Sequence, residues 1–190
     1  MKKVEVVPHN PEWQREFHKE SQFILAAFHD NSTNSGDNPL ITAIHHIGST
    51  SIPHIYAKPI IDILVEVTDI ERVDAYNPQL IALGYEAMGE FGIPGRRYFR
   101  KEINQVRTHH VHIFATGSKH VTRHLKFRDY MIAHPQQALA YSNLKRDLAE
   151  KFPHDIEAYM DGKNGFIQNM EALALVWQAE DKGNLGFATQ

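Results

Sequence analysis

The chain holds 190 residues, 42% of them hydrophobic and 23% charged, with no cysteine and a formal net charge of −3. That balance suits one folded unit and excludes collagen-like, disordered and disulfide-stapled classes. The longest apolar-rich run, 59–67, is interrupted by Asp62 and Glu66 and is far shorter than the roughly 18 residues of a membrane helix; lysines near the start lack a following apolar run, so a cytoplasmic protein with no membrane partner is expected.

In chain order, Asn10-Pro11 sets a cap before a proline, and Trp13, Phe17, Ile24 and Phe28 recur on one helical face. Residues 30–39 form a polar breaker stretch, within which Asn31-Ser32-Thr33 matches a glycosylation acceptor by chance. Leu40–Ile47 reads as a strand, Gly48-Ser49-Thr50-Ser51 as a tight turn, and Pro59–Val67 as a buried central strand. A helical pattern over 69–83 is interrupted at Asn77-Pro78 and closed by Gly84. Tyr85–Met88 and Arg97–Lys101 read as strands joined through Gly92-Ile93-Pro94-Gly95, and His109–Phe114 as a further strand. From Ser118 the pattern is helical, over 118–133, 135–151 and 153 to about 179. The class is α+β: a single domain over 1–190, with 118–180 as its helical C-terminal portion.

The net charge conceals a polarised chain. Residues 91–151 carry twelve Lys/Arg against four Asp/Glu, whereas 1–90 carry six against thirteen and 152–190 two against six. Thirteen histidines add to the positive field as pH falls through about 6.5. A phosphate-bearing partner follows, although basic and acidic segments that face each other or solvent produce the same count.

Gly48 and Ser49 follow a strand, so their amides are placed to receive an anion at close approach. Asp62 interrupts an apolar strand, where a carboxylate needs a metal, a catalytic role or an ion pair with Lys58 or an arginine. In Thr108-His109-His110-Val111-His112-Ile113-Phe114, His110 and His112 share one face with Cα atoms about 6.6 Å apart. With Asp62 on an adjacent strand they would form a set of two imidazoles and one carboxylate for a divalent ion; without it, they are hydrogen-bonded sheet histidines.

Arg96, Arg97, Arg100, Lys101 and Arg107 surround that strand, and one face of them suits a phosphate clamp or a charged sheet edge. Alternation sends Arg97 and Phe99 one way and Arg96, Tyr98 and Arg100 the other. His120, His124 and Arg128 form one helical stripe, with Val121, Leu125 and Ile132 on the core side. Nucleic acid is a weaker partner, because the stacking side chains in the basic segment are mainly Tyr98 and Phe99.

His46-Ile47-Gly48-Ser49-Thr50-Ser51-Ile52-Pro53, Lys58-Pro59-Ile60-Ile61-Asp62-Ile63, Gly92-Ile93-Pro94-Gly95-Arg96-Arg97, Thr108-His109-His110-Val111-His112, Phe127-Arg128-Asp129-Tyr130 and Leu144-Lys145 together resemble the GrpB family over about residues 4–176. The resemblance implies a nucleotidyltransferase-like mixed sheet packed by helices, a Gly-Ser turn for nucleotide phosphates and strand carboxylates for divalent metal. GrpB-like domains also occur joined to dephospho-CoA kinase, which implies a link to coenzyme A metabolism.

Carried over, Gly48 and Ser49 match the turn and Asp62 the first carboxylate, while Leu64 stands where the second is expected. Glu66 lies about 13 Å from Asp62 along an extended strand, too far to share a two-metal site. His110 or His112 replaces the third carboxylate. The expected function is binding of a nucleotide or other phosphorylated small molecule with one divalent ion, magnesium or manganese, zinc being compatible with the histidines. Asp62, His110 and His112 would be the catalytic and metal residues, and Gly48, Ser49, Thr50, Ser51, Lys58, Arg96, Arg97 and Arg107 the substrate-binding ones. The alternative is a non-catalytic phosphate-binding module or assembly factor. Turnover and oligomeric state, a homo-oligomer included, are left open.

Overall fold

The computed structural model describes residues 3–29 and 39–177. The glycosylation-like tripeptide and the end of the expected last helix lie outside them. Helix α1 (Glu12–Ala27) is followed by strands β1 (Ile41–Ile47) and β2 (Ile61–Val67), then α2 (Asn77–Ala82), β3 (Tyr85–Ala87), β4 (Arg96–Ile103) and β5 (Val106–Ala115). Three longer helices complete the chain: α3 (Lys119–Ala133), α4 (Pro135–Lys151) and α5 (Ile156–Val176). Asn10 Oδ1 accepts the Glu12 amide at 3.0 Å, and this bond starts α1. The interruption foreseen at Asn77-Pro78 is the boundary between a 3-10 turn (Glu71–Tyr76) and α2, where proline sits in the first helical turn and loses no hydrogen bond.

The five strands form one sheet in the order β1-β2-β5-β4-β3. β2 and β5 are parallel, and the other neighbours are antiparallel. The expected α+β class with a mixed sheet and a helical C-terminal portion is therefore the observed one.

Alternation divides each strand between two environments. Ile61, Ile63, Val65 and Val67 of β2, Val111 and Ile113 of β5 and Phe99 of β4 pack against Trp13, Phe17 and Ile24 of α1 and Phe28 just past its end. Each such side chain contributes roughly 1.5–3 kcal/mol of burial. Glu20 of α1 is also buried on this side, where its Oε1 accepts from Tyr85 Oη at 2.9 Å and Lys101 Nζ at 2.7 Å.

The opposite face is covered differently. Leu64 and Phe114 meet Val121 and Leu125 of α3, but Asp62, His110 and His112 occupy the rows beside them. Ile132, expected on the core side of α3, is exposed, and Tyr130 and Met131 are buried in its place. They pack with Ile52, Ile55, Tyr141 and Met170 in a separate cluster that joins the 49–55 segment to the helices.

Candidate functional site

The site begins where β1 ends. Gly48 has φ +70°, and a Cβ there would collide with the Asp62 carboxylate, so glycine supplies both the backbone turn and the room. Ser51 Oγ donates to the Gly48 carbonyl at 2.6 Å, and Thr50 Oγ1 donates to the Ile60 carbonyl at 3.2 Å. Thr50 also meets His46 Nε2 at 3.0 Å. The Thr50 and Ser51 hydroxyls thus tie the turn to itself and to the entry of β2, whereas Ser49 lines a cavity.

Across the sheet, the parallel register places Asp62 opposite His110 and Leu64 opposite His112. His110 Nδ1 lies 3.0 Å from Asp62 Oδ1. Burial pushes the Asp62 carboxyl up, but the His110 hydrogen bond, the two imidazoles and Lys163 pull it further down, below the ordinary carboxylate range. An ionised carboxylate only accepts, so His110 Nδ1 is the donor and Nε2 is the ring nitrogen turned away from Asp62. Burial pushes the His112 imidazole down to about 4 and the His124 imidazole beside it to about 3, so both are neutral at pH 7. Asp62, His110 and His112 offer ligand atoms within 4.8 Å of one another. One carboxylate and two imidazoles fit a single divalent ion, with a donor set that suits manganese or zinc better than oxygen-seeking magnesium.

Beside this cluster is a cavity of about 180 Å³, and three lysines line it: Lys58, Lys145 and Lys163. Lys145 comes from the buried side of α4, is 1% exposed, and its Nζ has no hydrogen-bond partner. Burial, reinforced by Lys163, pushes its ammonium down to about 7. Tyr141 lies 4.3 Å from Lys145 Nζ, and its hydroxyl is hydrogen-bonded to Ser49. Lys58 and Lys163 stand 6.0 and 5.5 Å from the Tyr159 ring, and burial lowers both ammonium groups. Among the described residues none of the three lysines forms a salt bridge.

The fold brings together Gly48, Ser49, Thr50, Lys58, Asp62 and His110 of the expected site, with His112 one pleat further along. It does not bring in Arg97. Alternation turns that residue to the other side of the sheet, where its Nε and Nη2 donate to Asp74 at 2.7 and 2.8 Å. Arg107 binds Glu102 Oε1 at 2.6 Å and lines a different cavity. Arg96 is on the correct face, yet its guanidinium donates to the Glu90 and Phe91 carbonyls and covers Tyr98, so it serves first as a wall. Glu66 is held by His45 at 2.9 Å, away from Asp62.

Lys145 and Lys163 were absent from the expected site. One sequence signal for Lys145 exists: it falls on the buried stripe Ala138, Tyr141, Ser142, Leu148 of α4, where a lysine is out of place unless something anionic meets it.

The arrangement defines an α+β domain with an acid-imidazole cluster on a mixed sheet and an adjoining lysine-lined hollow. The family model described as "GrpB protein" matches residues 3–172, and the chain belongs to the GrpB family. It is 45% identical over 177 residues to the UPF0157 protein YqkA of Bacillus subtilis, covering 93% of this chain and 49% of that protein. The glutamate-rich protein GrpB of Alkalihalophilus pseudofirmus is 34% identical over 171 residues, 88% of this chain and 93% of that one. The crystal structure of conserved protein GrpB from Enterococcus faecalis superposes with a TM-score of 0.81 at 41% identity, covering 90% of this chain and 97% of that one.

Proposed function

We propose that this chain binds a phosphorylated small molecule, a nucleotide among them, with the phosphates in the lysine-lined cavity and one divalent ion at Asp62, His110 and His112. The observation that carries the reading is the Lys145 ammonium, enclosed without a hydrogen-bond partner beside two further lysines. Three lysines around one carboxylate form a site short of negative charge once Lys145 is protonated, and a phosphate would supply that charge and hold the proton. The Gly48-Ser49 turn offers its backbone at the same place, in keeping with the nucleotidyltransferase superfamily that the GrpB resemblance implies.

A bound divalent ion would act there as a Lewis acid on a phosphoryl oxygen. Ser49 and the three lysines would hold the remaining phosphate oxygens. Asp62 would keep His110 in the tautomer that presents Nε2. Calorimetric titration with ATP and with inorganic pyrophosphate, with and without Mn²⁺, tests the reading. Binding of both anions that Lys145→Met abolishes, together with an Mn²⁺-dependent increment that Asp62→Asn removes, is the expected result. Binding unchanged in Lys145→Met would refute the phosphate site, and an increment unchanged in Asp62→Asn would refute the metal.

A second reading, a non-catalytic phosphate-binding module, is favoured by Leu64 standing beside His112 and by Glu66 being engaged with His45. One carboxylate serves one ion, not the paired ions of two-metal phosphoryl transfer. Release of pyrophosphate from ATP on addition of an alcohol acceptor would exclude this reading.

A further inference from the structure

The lysine-lined cavity, at about 180 Å³, is too small for a whole organic phosphate, since sites for drug-sized ligands occupy about 300–1,000 Å³. The remainder of such a molecule needs an adjoining space. A second cavity of about 1040 Å³ shares Lys58 and Ile60 as lining residues with the first. Lys58 stands at the junction, since it lines both cavities, with Asp62 in the lining of one and Arg107 in that of the other. Helix α5 runs along both spaces: Ile156 and Glu157 line the larger, and Tyr159, Met160 and Lys163 the smaller.

The two linings differ in chemistry. The smaller cavity has polar groups and ammonium ions. The larger presents mainly apolar surface, from Val4, Ile60, Val106, Phe152, Pro153 and Ile156, although charged side chains, Lys3, Arg107, Lys151 and Glu157 among them, also line it. Two of these, Val106 and Ile156, are large apolar side chains left 50% and 45% exposed in that lining. The walls are anchored, because the Val4 amide donates to the Pro153 carbonyl at 2.8 Å and Asp155 Oδ1 accepts the Ala158 amide at 3.0 Å where α5 begins.

Resting on the phosphate-site reading above, we infer that the large cavity holds the organic body of the same ligand, and that this body is mainly apolar: the substrate class is a phosphate or diphosphate ester of an apolar group. The phosphate end passes Lys58 to reach Lys145 and Lys163, while the apolar end lies against Val106 and Ile156. Among the described residues the large cavity's lining holds one phenyl ring, Phe152, and one imidazole, His154, beside several aliphatic side chains, a balance that favours an aliphatic chain over a nucleobase.

The test is isothermal titration calorimetry on the full chain with three probes: inorganic pyrophosphate, ADP and geranyl diphosphate. Pyrophosphate reports the small cavity alone, and the other two add bodies of different chemistry. Geranyl diphosphate is expected to bind at least about fivefold tighter than pyrophosphate, through burial of its methylene and methyl groups. The double variant Val106→Gln/Ile156→Gln leaves the charge at the lysines unchanged. It should bring geranyl diphosphate to within about twofold of pyrophosphate and leave pyrophosphate binding as in the wild type. ADP binding tighter than geranyl diphosphate would overturn the apolar body in favour of a nucleoside. A geranyl advantage that persists in the double variant would place the body elsewhere and also overturn the inference. Loss of pyrophosphate binding in the wild type would sink the phosphate site itself, which is a separate failure from pyrophosphate binding with no gain from the geranyl group.

Discussion

The two faces of the sheet treat buried charge in opposite ways. On the α1 side, Glu20 is enclosed but closed: Tyr85 and Lys101 both donate to one of its oxygens, and apolar side chains surround the group. On the other side, Lys145 is enclosed and open, an ammonium with no acceptor at the edge of a cavity. A closed ion pair holds two elements together, whereas an open charge destabilises the empty protein and gains its partner only from outside. The comparison separates residues whose partners lie within the fold from a residue that has no hydrogen-bond partner there, although both are buried.

The largest effect should come from breaking the closed pair. Lys101→Met strands Glu20 and is expected to lower stability by about 3 kcal/mol, read from urea unfolding, with pyrophosphate binding unchanged in the folded fraction. Next is Gly48→Ala, where the new methyl meets the Asp62 carboxylate in a backbone conformation with φ +70°. A loss of about 1–3 kcal/mol and of the Mn²⁺ increment should appear together. Stability falling without any change in the Mn²⁺ response would mean that the turn and the acid are independent.

Lys145→Met should act in the opposite sense to Lys101→Met. Removing an unpaired buried ammonium is expected to raise the stability of the ligand-free protein by about 1 kcal/mol while abolishing pyrophosphate binding. The same residue sets a pH dependence. Its ammonium is pushed down to about 7 when folded, against an ordinary 10.5, so between those values the unfolded chain holds the extra proton. Stability of the wild type relative to Lys145→Met should therefore rise with pH from about 7 to 10.5, and saturating pyrophosphate should flatten that rise by keeping the ammonium charged. A difference curve with no slope would show that Lys145 is charged in the empty protein.

The smallest effect is expected at Arg97, whose partner Asp74 is half exposed. Arg97→Ala should cost at most about 1 kcal/mol and leave anion binding untouched, since solvent screens the pair and the side chain projects from the far face. Weakened pyrophosphate binding would contradict that placement.

Much of the sheet was legible because its signals are local. The near-continuous apolar run of 59–67 and the alternation in 109–114 identified both strands, and Asp62 stood out because an acid within an apolar run is costly. The adjacency of Asp62 and His110 was an expectation that only the parallel pairing of β2 with β5 could meet. The arginines show the limit of local pattern. Alternation separated Arg96 from Arg97, but which face held the histidines depends on how β4 pairs with β5, a relation that no window of sequence contains. Lys145 and Lys163 were missed for a related reason. Each lies on an ordinary amphipathic helix, and their convergence comes from the docking of α4 and α5 beside the sheet.

The parallel contact of β2 with β5 also fixes when this protein becomes competent. The acid and its imidazole are 48 positions apart, with α2, β3 and β4 between them, and the last lysine is supplied by α5. A ribosome-bound fragment ending before His110 therefore holds one of the three residues of the acid-imidazole cluster. One ending before Lys163 holds an unfinished anion cradle. On the proposed function, ligand capture would be a late event in the life of the nascent polypeptide, and a bound phosphate ester would act as a clasp that favours the finished molecule over every shorter precursor.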